Sequence, residues 1–152
     1  MSVSVSMTGD FEKLRAFVKR ASDVGRAQYL IAKAVRDEAL TQVQLGFRAE
    51  RDPNGQPWAP LKYRTGRILS LTARLRRSFN ARVTGSGSGV RVSVGTNVKY
   101  AKFHQYGTRT KRGGVKMPAR QMLPADGSLG TKWQAPIAAA ARAALFRFWG
   151  KR

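Results

Sequence analysis

Twenty of the 29 Lys and Arg side chains fall in residues 53–152, where Asp126 is the sole carboxylate; residues 1–52 hold nine cations against seven acids. The formal charge of +21 is therefore divided into +2 and +19. A hundred residues with one acid cannot neutralise their own cations, so the chemistry they offer is capture of external anions. Nucleic-acid phosphates come first, acidic protein surfaces second and anionic lipid last. The densest groups are Arg74, Arg76 and Arg77, and then Arg109, Lys111, Arg112 and Lys116 within a basic, Gly-containing loop at 108–116.

Catalytic chemistry is thinly supplied. General acid–base work needs paired carboxylates or a His with a partner, and the basic two-thirds holds one of each, Asp126 and His104. His104 lies among Phe103, Gln105 and Tyr106, where a hydrogen-bonded packing role fits better than a pH gate. With no Cys there is no disulfide, Fe–S cluster or thiolate zinc site, and one His argues against a histidine-based metal site. The sequence has no nucleophile elbow, phosphate-binding Gly loop or metal-ligand spacing. A magnesium nuclease would have to draw its acids from residues 10–52, where most fall on solvent faces of helices and suit i,i+4 pairing. A non-enzymatic protein without cofactor or metal is expected.

Hydropathy patterning supplies the frame for these cations. At 152 residues and 42% apolar content, one globular domain with its own core is expected. Asp10 precedes an amphipathic spacing of Phe11, Leu14, Phe17, Val18 and Ala21. After Gly25 a second helix carries Ala27, Leu30, Ile31, Ala34, Val35, Ala39, Val43, Gly46 and Phe47 along one stripe. It ends at Asp52-Pro53-Asn54-Gly55-Gln56-Pro57, a run of helix breakers. Trp58 then reads as an aromatic plug on the helices rather than a base-stacking platform. Leu69, Leu71, Leu75 and Phe79 suggest a short amphipathic segment.

The period next changes to two. Val83, the flexible Gly85–Gly89 stretch, and then Val90, Val92 and Val94 predict a β-hairpin. A last helix is predicted from near Thr131 toward Phe148, with Trp133, Ile137, Ala141, Ala144, Leu145 and Phe148 as its apolar stripe. Helices, then strands, then a helix predict an α+β fold with a small antiparallel sheet. Residues 1–9 read as a flexible N-terminal segment without the basic and apolar regions of a secretion signal. No apolar run approaches the roughly 18 residues of a membrane span.

Four motifs in order carry a resemblance: the 47–61 run ending Asp52-Pro53-Asn54-Gly55-Gln56-Pro57-Trp58, then Leu71-Thr72-Ala73-Arg74-Leu75-Arg76-Arg77-Ser78-Phe79. The third is Val94-Gly95-Thr96-Asn97 leading to Tyr100-Ala101-Lys102-Phe103-His104-Gln105-Tyr106-Gly107, and the fourth is Met117-Pro118-Ala119-Arg120. Together they resemble the phage virion morphogenesis family, the tail completion proteins of Mu-like and related tailed phages, over roughly residues 10–125. Residues 126–152, a C-terminal helix and tail, lie outside the motifs. The family tends to have Asp-Thr-Gly where this chain has Leu71-Thr72-Ala73, and Pro-Phe where it has Gln121-Met122.

The motifs make physical sense without catalysis. Asp52, Pro53 and Gly55 form a stiff corner anchored by Trp58, Gly107 permits a turn that a Cβ would hinder, and Pro118 fixes a segment from which Arg120 reaches a carboxylate on a neighbour. The resemblance implies a structural virion protein at the head–tail junction, assembled in the host cytoplasm. It further implies a ring coaxial with the portal and tail tube, contacting tail terminator, tail tube or head-side connector proteins.

Size gives a check on the ring. A globule of this length has a diameter of about 38 Å; three in a ring leave almost no hole, whereas six leave a lumen of about 38 Å, wider than a DNA duplex of roughly 20 Å. A hexamer passing packaged double-stranded DNA non-specifically is the expected assembly. Phe146, Phe148 and Trp149, interleaved with Arg142, Arg147, Lys151 and Arg152, suggest a docking arm built on Phe146 and Trp149 rather than a membrane-surface helix. The alternative reading is a basic DNA-binding protein acting outside the virion, monomeric or dimeric, although no helix-turn-helix or ribonucleoprotein aromatic motif is present.

Overall fold

The computed structural model describes residues 2–5, 24–85, 89–125 and 128–150. The helix expected from Phe11 to Ala21, part of the hairpin tip, Asp126, and Lys151 and Arg152 lie outside the described residues. The elements in order are β1 (Ser2–Val5), α1 (Val24–Ala49), α2 (Arg74–Arg77), β2 (Phe79–Thr84) and β3 (Arg91–Thr96). They continue with α3 (Ala101–Tyr106), β4 (Thr108–Arg109), β5 (Val115–Met117) and α4 (Thr131–Trp149). The α+β architecture follows the expected order: a long helix, a small antiparallel sheet and a closing helix.

Helix α1 buries Ala27, Val35, Ala39, Val43 and Phe47, one stripe at steps of four. Against it α4 lays Trp133, Ile137, Ala141 and Leu145 at the same spacing. Ala27 and Leu145 share one cluster, while the corner after α1 meets the start of α4, so the two helices run antiparallel. The sheet has the order β1-β3-β2, all antiparallel, and α1 packs against its β2–β3 pair. Phe47 joins the layers, its ring meeting Trp58 edge-on at 5.4 Å and Phe79 at 5.7 Å.

Three local features differ from the sequence reading. Residues 1–9 were expected to be flexible, yet Ser2–Val5 pair with Val92–Gly95 of β3; the Ser-Val-Ser-Val alternation is itself a strand period. The loop at 108–116 is a two-stranded hairpin, Thr108 opposite Met117 and Arg109 opposite Val115, which leaves Lys116 as a bulge. The amphipathic segment through Leu69, Leu71, Leu75 and Phe79 shrinks to the single turn α2, with Leu71 77% exposed and Phe79 opening β2.

The cause of that shrinkage is backbone conformation. Leu69 (φ 56°) and Ala73 (φ 55°) both sit in the left-handed region, which keeps a right-handed helix from extending N-terminally beyond Arg74, while Phe79 opens β2 on the other side. Glycine is the residue suited to this conformation at position 73. Ala73→Gly should therefore stabilise the protein by about 0.5 kcal/mol, relief of the left-handed strain exceeding glycine's added unfolded-state entropy. A rise in the urea midpoint would bear this out, and a fall would contradict it.

Candidate interaction surface

The Asp-Pro-Asn-Gly corner is built by side-chain capping. Helix α1 ends with Glu50 at φ 55° and the Arg51 N–H donating to the Gly46 carbonyl at 3.1 Å, a Schellman closure with Glu where Gly is usual. Asp52 Oδ1 accepts the N–H groups of Asn54 and Gln56 at 2.9 and 2.8 Å, and Gly55 takes φ 88° to close the turn. The corner also starts α4. Asn54 Oδ1 accepts the Thr131 N–H, Thr131 Oγ1 donates to the Asn54 carbonyl, and the Pro53 carbonyl accepts from the Lys132 N–H. These bonds satisfy helix N-terminal donors that would otherwise lack partners. Trp58, 5% exposed, donates its indole N–H to the Gln121 carbonyl at 2.8 Å.

Gln105 governs the far side of the corner, and the sequence reading named it only as part of a motif. Its side chain is 1% exposed. Oε1 accepts the N–H groups of Met122 and Leu123, and Nε2 donates to the Leu123 carbonyl at 2.8 Å. Gly107, at φ 71° and ψ 179°, lets the chain leave α3 against the Met117–Ala119 backbone. The segment bearing Pro118 and Arg120 is thus clamped from α3 on one side and Trp58 on the other.

That clamp corrects the reading of Arg120. Expected to reach a neighbour's carboxylate, it is 7% exposed and engaged within the protomer. Nε donates to the Ala59 carbonyl at 2.8 Å and Nη2 to the Pro60 carbonyl at 3.0 Å. Burial, then the Arg64 charge, pull its pKa below the ordinary arginine value, but a guanidinium stays protonated.

His104 accompanies this segment. Its backbone carbonyl accepts the Arg120 N–H at 2.6 Å, and its ring meets Tyr100 edge-on at 5.9 Å. Nδ1 is buried and makes no hydrogen bond among the described residues, so the expected hydrogen-bonded packing histidine is only half realised. Burial, and next the Arg120 charge, lower its pKa below 6.5. A lowered histidine pKa means the unfolded chain takes up the proton first, so this contribution to stability is present above about pH 6.5 and is lost as pH falls toward the folded value. Between about pH 7.5 and pH 5.5 the urea midpoint should fall more in the wild type than in His104→Asn; equal falls would contradict the assignment.

The basic groups remain at the surface. Arg74 and Arg77 are exposed and Arg76 is half-buried, while Leu75 between them is buried. Because Phe79 pairs with Thr96, α2 precedes and α3 follows the same end of the β2–β3 ladder. Beyond α3 the hairpin exposes Arg109, Lys111, Arg112 and Lys116. Phe146 and Trp149 are not part of this group; both stand in the last turn of α4, and Trp149 packs against the Ala27–Leu145 cluster at the other end of the helix pair. Phe146 is 73% exposed, whereas Trp149 is half-buried against the Ala27–Leu145 cluster with its ring on Phe148.

Among the described residues there are two ion pairs, Arg36–Asp37 at 2.6 Å and Arg67–Glu50 at 3.7 Å. No cation from Arg74 onward meets a carboxylate among them. An open groove of about 580 Å³ between α1 and α4 sets Asp37 beside Arg26, Lys33 and Arg147, without a paired acid or a His. No group of three or more metal-ligating side chains occurs among the described residues, and none of the described helices is long and apolar enough to cross a membrane. The arrangement presents positive charge at the surface of α2 and of the β4–β5 hairpin.

A profile of the phage virion morphogenesis family matches residues 9–139, which includes the first half of α4. No curated protein and no solved structure matches the chain.

Proposed function

This chain belongs to the phage virion morphogenesis family, and from that premise we propose that it is a structural component of the head–tail junction. In this reading it acts late in assembly as a tail completion or head–tail joining protein. It forms a homo-oligomeric ring, a hexamer by the size argument, through whose lumen the genome passes. It has no catalytic step and no cofactor.

The observation that carries the reading is the family match over most of the chain, joined to a cationic surface from Arg74 onward whose cations meet no carboxylate among the described residues. Contacts to the passing duplex are few and confined to the rim. Each neutralised phosphate adds about 0.9 to the salt slope of binding, and a tightly gripping throat would impede ejection. The remaining cations meet acidic surfaces of the adjoining rings. The fixed corner at Asp52–Trp58, which holds α1, α4 and the 118–124 segment together, gives the rigidity that a ring subunit needs.

The test is the composition of purified particles and the mass of the assembled protein. The chain should be present in virions at a few copies per particle, and native mass measurement should return a closed ring of about six subunits. A protein absent from virions would overturn the reading, and one that stays monomeric at every concentration would overturn the ring.

A further inference from the structure

Helix α3 turns aromatic residues toward solvent. Ala101 and Gln105 fill its buried face, while Tyr100, Phe103 and Tyr106 are 39%, 44% and 60% exposed. At about 100° per residue Phe103 lies directly opposite the Ala101–Gln105 face, with Tyr100 and Tyr106 about 60° to either side. The hairpin that follows adds Val115, 66% exposed and paired with Arg109. Lys102 holds its Nζ 5.2 Å from the Phe103 ring centroid. Lys99, Arg109, Lys111, Arg112 and Lys116 are exposed around these side chains, and no carboxylate occurs anywhere in residues 53–125.

We propose that the outward face of α3 and the β4–β5 hairpin form a docking surface for a different protein, one that presents an apolar patch rimmed by carboxylates. Charge complementarity selects this occupant. A second copy meeting it through the same face would bring like charge to a surface already rich in it. Duplex DNA would satisfy the cations but leave the aromatic rings without an apolar partner, since its bases are stacked. Exposed Tyr and Phe set among Arg is the composition of protein-interface hot spots. The inference rests on the virion reading only for where the partner resides.

The test compares the full chain with a Phe103→Ser/Tyr106→Ser variant. Binding is followed by fluorescence anisotropy at about physiological ionic strength for a random glutamate–tyrosine copolymer, poly-glutamate and a short random-sequence DNA duplex. The wild type should bind the copolymer at least about tenfold more tightly than poly-glutamate of matched charge. The double variant should lose that preference while holding poly-glutamate and the duplex as before. Equal wild-type affinities for the two polymers would overturn the proposal, and that comparison stands even if the variant fails to fold. A variant weakened chiefly toward the duplex would assign the surface to nucleic acid instead. One that instead changes only the oligomeric state would assign it to a second copy. No particle enters the assay, so failure of the head–tail reading would leave these affinities unchanged.

Discussion

Replacing Gln105 with leucine should lower the unfolding free energy by roughly 3–5 kcal/mol. Leucine matches the side chain in size, so the loss is polar rather than volumetric. Oε1 now serves two buried N–H groups, Met122 at 2.9 Å and Leu123 at 3.2 Å, and Nε2 serves the Leu123 carbonyl. Each buried group left without a partner costs about 1–3 kcal/mol, and partial relaxation of residues 118–124 recovers some of the sum. Equilibrium urea unfolding at neutral pH measures the effect. A cost under about 1 kcal/mol would mean that the clamp is not formed in solution. Because the same segment carries Arg120 and the carbonyl that receives the Trp58 indole, the damage should extend to the corner, with early hydrogen exchange there.

Gly107→Ala should be comparably severe, at about 3–5 kcal/mol. The backbone at φ 71° and ψ 179° lies in a region that is essentially restricted to glycine. An added Cβ would stand 2.8 Å from both the Ala119 nitrogen and the Met117 oxygen. Those are backbone atoms, so no side-chain rotation relieves the overlap. Either the protein loses that stability globally, or the β4–β5 hairpin pulls away from α3 and the helix end frays. Unfolding midpoints with amide exchange at Arg109 and Val115 distinguish the two, and an unchanged midpoint with unchanged exchange would contradict the geometry.

Much of this arrangement was legible in the sequence because it is periodic or local. The stripes of α1 and α4 follow a step of four with large apolar side chains, and the alternating valines of Val83–Val94 flank a Gly/Ser run. The Asp-Pro-Asn-Gly corner announces itself through residues that break helices. Three features were not legible, each for a physical reason. Gln105 lies on a six-residue helix whose outward face is aromatic, so hydropathy alone would turn α3 inside out. The capping of Thr131 by Asn54 spans 77 positions, beyond any local pattern. The Leu69 and Ala73 backbones are left-handed without glycine to signal it, and the expected amphipathic segment collapsed to one turn.

For the candidate site, composition located the cations and their lack of acids but not their surroundings. Arg120 sits in the same basic stretch as Arg112 and Lys116, yet it is buried on the Ala59 and Pro60 carbonyls while they remain in solvent. Proline explains part of the difference, since a chain at Pro60 cannot form a regular ladder and leaves carbonyls for a guanidinium to take. Trp149 was likewise drawn onto the Ala27–Leu145 cluster, which leaves Phe146 as the exposed aromatic of the C-terminal helix.

Deletion of the gene from the parent phage, followed by electron microscopy of the lysate, tests the proposed joining of head to tail. DNA-filled heads should lie beside separate, otherwise normal tails, with joining restored when the protein is supplied in trans. Intact and infectious virions from the deletion would contradict it and return the chain's positive charge to the alternative of free DNA binding.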